Sequence, residues 1–233
     1  MGAAAACRAR GGEAIRGATG LGPGTDVPSP RVSTGGLPGG LLGSPAMTRP
    51  RPWTTIERER IQSCRVFDVQ RILSRSPRTG RSHEFFGIGA SDWVNVIPLT
   101  PEGEVVMVRQ FRHGAGVVTL ETPGGMVDPG ERPDEAAARE LLEETGYRAD
   151  SVRSLGSVNP NPALFGNRLH AFLGTNASRV AEVAQGETEE TVVELVSPDA
   201  LRRLVLEGVV DHALVVAALL LFDLQRAAET GPD

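Results

Sequence analysis

"GGMVDPGERPDEAAARELLEETGY", residues 124–147, places seven carboxylates in about two dozen residues bracketed by glycines. Like charges at that density repel one another along a helix surface, so something must compensate them. Pro133 suits the first turn of a helix, where its missing N–H has no intrahelical partner to lose. Asp134 and Glu135 suit the positive end of the helix dipole. Arg132 is a poor N-cap and leaves the exact start open, whereas Gly146 supplies a stop. The stretch predicts a helix over Pro133–Thr145.

At roughly 100° per residue, Glu144 lies about 40° from Glu140 on one side and Glu143 about 60° on the other. Three carboxylates therefore share one face. Ala136 and Ala137 fall on the same face and leave it uncrowded, while Ala138, Leu141 and Leu142 fall roughly opposite as the expected core stripe. A glutamate-rich helix that only meets water usually interleaves basic residues for i,i+4 support; this face carries alanines instead. Three glutamates beside small side chains suit a hard divalent cation such as Mg²⁺, which takes oxygen ligands and often bridges to substrate phosphates. Bound cations would relieve the repulsion.

Outward from this helix the pattern is mostly strands. "RVFDVQRIL" from Arg65 alternates, "SRSPRTGRS" supplies a turn, and "HEFFGIGA" follows. "DWVNVIPLT" and "EVVMVRQFR" flank the turn sequence Pro101-Glu102-Gly103 and read with the others as antiparallel strands. Helical patterns recur at Pro198–Glu207 and Asp211–Ala228. Strands with interspersed helices indicate an α/β domain from about Thr54 onward. Residues 1–50 differ: Gly, Pro, Ser and Thr with little periodic apolar content predict a disordered tail. Met47 closes that tail and is a candidate for the true translation start.

The chain has 233 residues and a net charge of −5, which argues against broad capture of nucleic acid or of an anionic membrane. Its 24 basic residues are all Arg. Cys7 and Cys64 make no disulfide framework, which fits a reducing cytoplasm. The N-terminus lacks a signal peptide's apolar core. "ALVVAALLLF", Ala213–Phe222, falls short of the roughly 20 residues a bilayer requires and is expected as a buried helix. His83, His113, His170 and His212 show no metal-ligand spacing, and the sparse aromatics form no nucleic-acid stacking platform.

Gly125, five residues, Glu131, seven residues, then "RELLEETGY" resembles the Nudix box, G-x5-E-x7-R-E-U-x-E-E-x-G-U with U a bulky apolar residue. Tyr147 departs from the usual aliphatic residue at the last U. The resemblance implies a Nudix fold: a mixed β-sheet sandwiched between α-helices, here over residues 92–228, preceded by an N-terminal antiparallel strand segment over 54–95. It also implies hydrolysis of a diphosphate linked to another group. Glu140, Glu143 and Glu144 would hold catalytic Mg²⁺, with Mn²⁺ as a substitute, and a main-chain carbonyl near Gly124 or Gly125 would complete the shell. Arg139 would be structural, pairing with Glu131, as would Gly146 at the helix end.

Flanking segments narrow the resemblance. "VRQFRHGAGVVTLETPGG" is similar to the approach to the box in ADP-ribose pyrophosphatases and related sugar-nucleotide hydrolases. That similarity makes Arg112 a candidate for the substrate's phosphates or terminal ribose, and Glu121 for a polar contact; a surface arginine at a strand end is the plainer alternative for Arg112. Pro162, fifteen residues past Tyr147, matches a marker of the ADP-ribose group, although "NPNPALFGNR" reads equally as a loop. Arg168 is a nucleotide-binding candidate or a loop stabiliser. In "QGETEETVVEL", Glu189 or Glu190 is the candidate base, or else part of a solvated acidic loop. Relatives of this kind are commonly homodimers built through N-terminal strands, a role that fits Thr54–Ala90. The expected activity is Mg²⁺-dependent cleavage of ADP-ribose or a similar nucleoside-diphosphate sugar, a small-molecule nucleotide substrate. The alternatives are a dinucleoside polyphosphate, coenzyme A, an oxidised nucleoside triphosphate, a GDP-sugar, or a non-enzymatic nucleotide-sugar sensor.

Overall fold

The structure is a computed structural model, and it describes residues 49–186 and 190–230. The expected tail, apart from Arg49 and Pro50, and the Met47 start lie outside those residues. Three antiparallel strands come first: β1 (Thr54–Ser63), β2 (Asp68–Arg75) and β3 (Ser82–Gly89), in that spatial order. The β2–β3 turn rests on Ser76, whose hydroxyl accepts hydrogen bonds from the Arg78 and Thr79 amides, with Gly80 at φ +71°. Only the absence of a Cβ makes that backbone angle inexpensive.

Then come β4 (Trp93–Pro98), β5 (Val105–Arg112), β6 (Val117–Glu121), β7 (Gly124–Met126) and α1 (Pro133–Thr145). The rest of the chain forms β8 (Tyr147–Arg148), β9 (Ser151–Val158), β10 (Leu169–Thr175), β11 (Ser178–Arg179), β12 (Thr191–Val196), α2 (Pro198–Leu206) and α3 (Ala213–Thr230). The central sheet runs β7-β4-β10-β9, with β4 parallel to β10 and the other pairs antiparallel. A second sheet, β12-β5-β6, is antiparallel throughout.

Strand alternation sorts the apolar residues into two cores. Val94, Val96 and Phe172 pack with Ala136, Ala137 and Leu141 of α1. Ile97, Ala171 and Leu173 point the other way and pack with Val215, Ala218 and Phe222 of α3. Val105, Met107, Leu120 and Val196 of the second sheet join this second core. The expected mixed sheet between helices is therefore present.

Several expectations need correction. Ala136 and Ala137 do not leave an acidic face open; they are buried against β4, while Ala138 is exposed. The reason is that α1 lays its glutamate side toward the sheet, so small residues are what let the helix approach. The strands around Pro101-Glu102-Gly103, read as antiparallel, do not pair with each other along their length. The turn exists, with the Gly103 amide donating to the Thr100 carbonyl, but β4 and β5 enter different sheets and meet only at a Leu99–Val105 bridge. β4 is buried from Val94 to Pro98, as a strand covered by helices on both faces must be. β1 falls within the antiparallel strand segment expected over 54–95. The α3 helix is buried on one face alone: Leu220 and Leu224 are exposed.

The N-terminal sheet joins the loop ahead of β10. The Ile88 amide donates to the Leu164 carbonyl at 2.7 Å, and Phe165 stacks, tilted, on Trp93 at 5.6 Å between centroids.

Candidate active site

The acidic helix starts at Pro133 without a side-chain hydroxyl cap; instead Glu135 reaches back to accept the Arg132 amide at 3.1 Å. It stops at Gly146, in the left-handed region at φ +72°. Any added Cβ at Gly146 would lie 2.1 Å from the Ala181 carbonyl oxygen, so glycine is required there on two counts.

Between those ends, two of the three glutamates lie on the backbone of β7. Glu144 is buried, and its Oε2 accepts the Gly124 amide at 2.9 Å. Its own carbonyl accepts the Thr191 hydroxyl at 2.8 Å, which ties the end of α1 to β12. Glu140 lies over Gly125 so closely that a Cβ there would be 2.3 Å from its Oε1. Glu143 is exposed.

Arg139 organises the group. It forms a bidentate pair with Glu131 at 2.9 Å on each arm, and donates to Glu140 Oε1 at 2.8 Å, to Glu143 Oε2 at 3.2 Å and to the Met126 carbonyl at 3.1 Å. A planar guanidinium can serve all four acceptors at once; an ammonium cannot. The Arg139 hydrogen bonds, and after them the Asp128 amide, hold the Glu131 carboxyl at about 2. Arg139 itself is pushed further up from its ordinary value, chiefly by Glu131.

Among the described residues no three His, Cys, Asp or Glu side chains already close into a metal-holding group. The donors at hand are nonetheless all oxygen: the Glu140 and Glu144 carboxylates against a glycine backbone, with Glu143 one turn away. That chemistry fits a hard divalent cation, not a soft one.

The NUDIX domain family profile matches residues 92–219, more than half of the chain. The chain belongs to the Nudix family. It is a Nudix diphosphohydrolase. It is 31% identical over 150 residues to the ADP-ribose pyrophosphatase of Bacillus subtilis (strain 168), covering 64% of this chain and 80% of that protein. It is also 31% identical over 165 residues to the methanol dehydrogenase activator of Bacillus methanolicus, covering 70% of this chain and 89% of that one. The crystal structure of an ADP compounds hydrolase shares the fold, with a TM-score of 0.67 at 20% identity over 78% of this chain and 98% of that one.

Outside the Nudix box, the predicted residues are dispersed. Arg112 and Glu121, each expected at the substrate, bind each other through two 2.7 Å hydrogen bonds. Glu121 is 2% exposed and also accepts from the Thr119 hydroxyl and from His212 Nδ1, the latter at 2.7 Å. Burial alone would push the Glu121 carboxyl up, but the Arg112, His212 and Thr119 hydrogen bonds outweigh it and leave it well below the usual carboxylate range. Arg168 is exposed and turns its guanidinium onto the carbonyl and hydroxyl of Ser157. Glu190 is exposed beside β12, and Glu189 lies outside the described residues.

The sequence reading missed His212, whose partner is 91 residues away. It also missed Asp92, which accepts the Arg168 amide at 2.8 Å and meets His170 Nε2 at 2.9 Å. Neither pair has a local spacing signal; only the fold brings them together.

Of the described helices, none is long and apolar enough to cross a membrane.

Proposed function

We propose that this Nudix enzyme cleaves the diphosphate linkage of ADP-ribose or a related nucleoside-diphosphate sugar, giving a nucleoside monophosphate and a sugar phosphate. The observation that carries the reading is the placement of Glu140 and Glu144 on the Gly124–Gly125 backbone, with Arg139 fixing the helix face beside them. Glu140, Glu143 and Glu144 would hold Mg²⁺, or Mn²⁺ in its place. An ion held there would polarise phosphoryl oxygens and lower the pKa of a coordinated water. Glu189 or Glu190, just ahead of β12 in the sequence, would serve as the general base. Arg139 keeps Glu140 oriented, as an outer hydrogen-bond partner does for a metal ligand.

Substrate class is supported by two observations. One is the likeness to the Bacillus subtilis ADP-ribose pyrophosphatase. The other is a groove of about 520 Å³ between the N-terminal sheet and the Pro162 loop, lined by Trp53, Phe85, Phe86, Phe165 and Arg58. Aromatic faces beside an arginine suit a nucleoside base and its phosphate. Ile56 and Ile61 are exposed on β1, outside that groove, and this apolar strand surface supports a homodimer formed through β1.

A hydrolysis panel decides the reading. With Mg²⁺, purified protein is expected to turn over ADP-ribose or another nucleoside-diphosphate sugar faster than dinucleoside polyphosphates, coenzyme A or oxidised nucleoside triphosphates. Faster turnover of one of the latter would overturn the substrate assignment, and silence across the panel would favour a nucleotide-sugar sensor. A monomeric elution volume in size-exclusion chromatography would count against the dimer.

A further inference from the structure

We infer that His212 is a positioning residue for the catalytic face: through Glu121 it fixes the strand end that carries the Gly124–Gly125 backbone on which Glu144 and Glu140 rest. The inference deepens the proposed function and rests on its placement of the metal site.

Glu121 is the last residue of β6 and is buried. One of its oxygens takes Arg112 Nε and the Thr119 hydroxyl; the other takes Arg112 Nη2 and His212 Nδ1. Arg112 and Thr119 belong to β5 and β6 themselves, so they hold Glu121 only within its own sheet. His212 does not: it immediately precedes α3, and α3 packs on the central sheet. His212 is thus the contact that ties this sheet's carboxylate to the far helix layer.

Two residues separate Glu121 from Gly124 along the chain, and one of them is a proline. Pro123 has a fixed φ, and its carbonyl accepts the Val96 amide at 2.9 Å. A shift at Glu121 is therefore passed along a stiff connection to the Gly124 amide, which holds Glu144 at 2.9 Å. The contact also fixes the histidine tautomer. An ionised carboxylate only accepts, so the Nδ1 of His212 carries the hydrogen toward Glu121.

His212 is partly exposed, so replacing it leaves no large buried void. The test compares His212→Leu, which removes the donor, with His212→Asn, whose side-chain amide can donate from nearly the position of Nδ1. Three quantities are read on each: kcat and KM for the preferred nucleotide sugar, and Mn²⁺ affinity by electron paramagnetic resonance. His212→Leu is expected to lower kcat about 10-fold, in the range seen when an outer hydrogen-bond partner of a metal ligand is lost. It is also expected to weaken Mn²⁺ binding by a similar factor and to leave KM within about twofold. His212→Asn is expected to recover most of both losses.

Unchanged kcat and Mn²⁺ affinity in His212→Leu would overturn the inference. So would equal losses in both variants that track a lowered melting temperature, since that pattern marks a purely structural role. If the wild type hydrolyses no nucleotide sugar, the substrate reading has failed, and the Mn²⁺ comparison still decides the inference by itself.

Discussion

The Gly124 amide and the Glu144 carboxylate, 20 residues apart in the chain, meet at 2.9 Å and join β7 to the last turn of α1. That bond places a buried acid on a backbone that has no side chain to stand in its way. A carboxylate acceptor makes such a bond stronger than one between neutral groups.

Replacing Glu144 with glutamine keeps an oxygen for the Gly124 amide while removing the charge that a cation needs. Turnover is expected to fall by at least about 100-fold, the upper range for losing even an outer partner of a metal ligand. The melting temperature should stay within a few degrees. Near-normal kcat in Glu144→Gln would refute the assignment of this glutamate to the metal.

The two adjacent glycines should fail in different ways. A Cβ at Gly124 would lie 2.2 Å from the Val94 carbonyl oxygen, which is backbone and cannot swing aside. Gly124→Ala is expected to destabilise the fold by about 1–3 kcal/mol, as overpacking does. A Cβ at Gly125 would instead strike the end of the Glu140 side chain. Gly125→Ala should therefore displace Glu140 and cut kcat about 10-fold while sparing much of the stability. Chemical denaturation alongside kinetics separates the two; a Gly125→Ala protein that loses stability but not kcat per folded molecule would contradict this.

Arg139→Lys tests the fork. A lysine keeps the charge but cannot reach Glu131, Glu140, Glu143 and the Met126 carbonyl together. Losing charged hydrogen bonds at this partly buried position is expected to cost about 1–3 kcal/mol, and kcat should fall as Glu140 is released. Retention of both in Arg139→Lys would mean that charge alone suffices.

Acid should dissolve this network from Glu131. Its carboxyl titrates at about 2 when folded against an ordinary 4.5. The folded state binds the proton less readily, so the contribution to stability is complete above about 4.5 and is lost as pH falls from there through about 2. A carboxyl titration followed by nuclear magnetic resonance is expected to place the Glu131 midpoint near 2, moving upward in Arg139→Lys. A midpoint at the ordinary value in the wild type would show that the pair does not form in solution.

Local sequence carried the acidic helix to its residue boundaries, because Pro133, Gly146 and the glutamate spacing act within one or two turns. It also carried the α/β class, since strand alternation and helical periodicity are properties of neighbours along the chain. The orientation of α1 was not legible: Ala136 and Ala137 look alike on an open face and in a core, and only β4 packed against them decides. The same limit separated β4 from β5, whose turn residues suit a hairpin that the two sheets do not make. Arg112, Glu121 and His212 show the limit most plainly. Each is an ordinary polar residue at its own position, and the burial of one carboxylate between a strand and a distant helix made them partners. Sequence by itself determined which elements form and which chemistry the Nudix box carries, because those depend on short spacing. Tertiary structure alone decided which side chains share a buried charge, because burial and proximity across 91 residues arise only when the sheets and α3 close on one another.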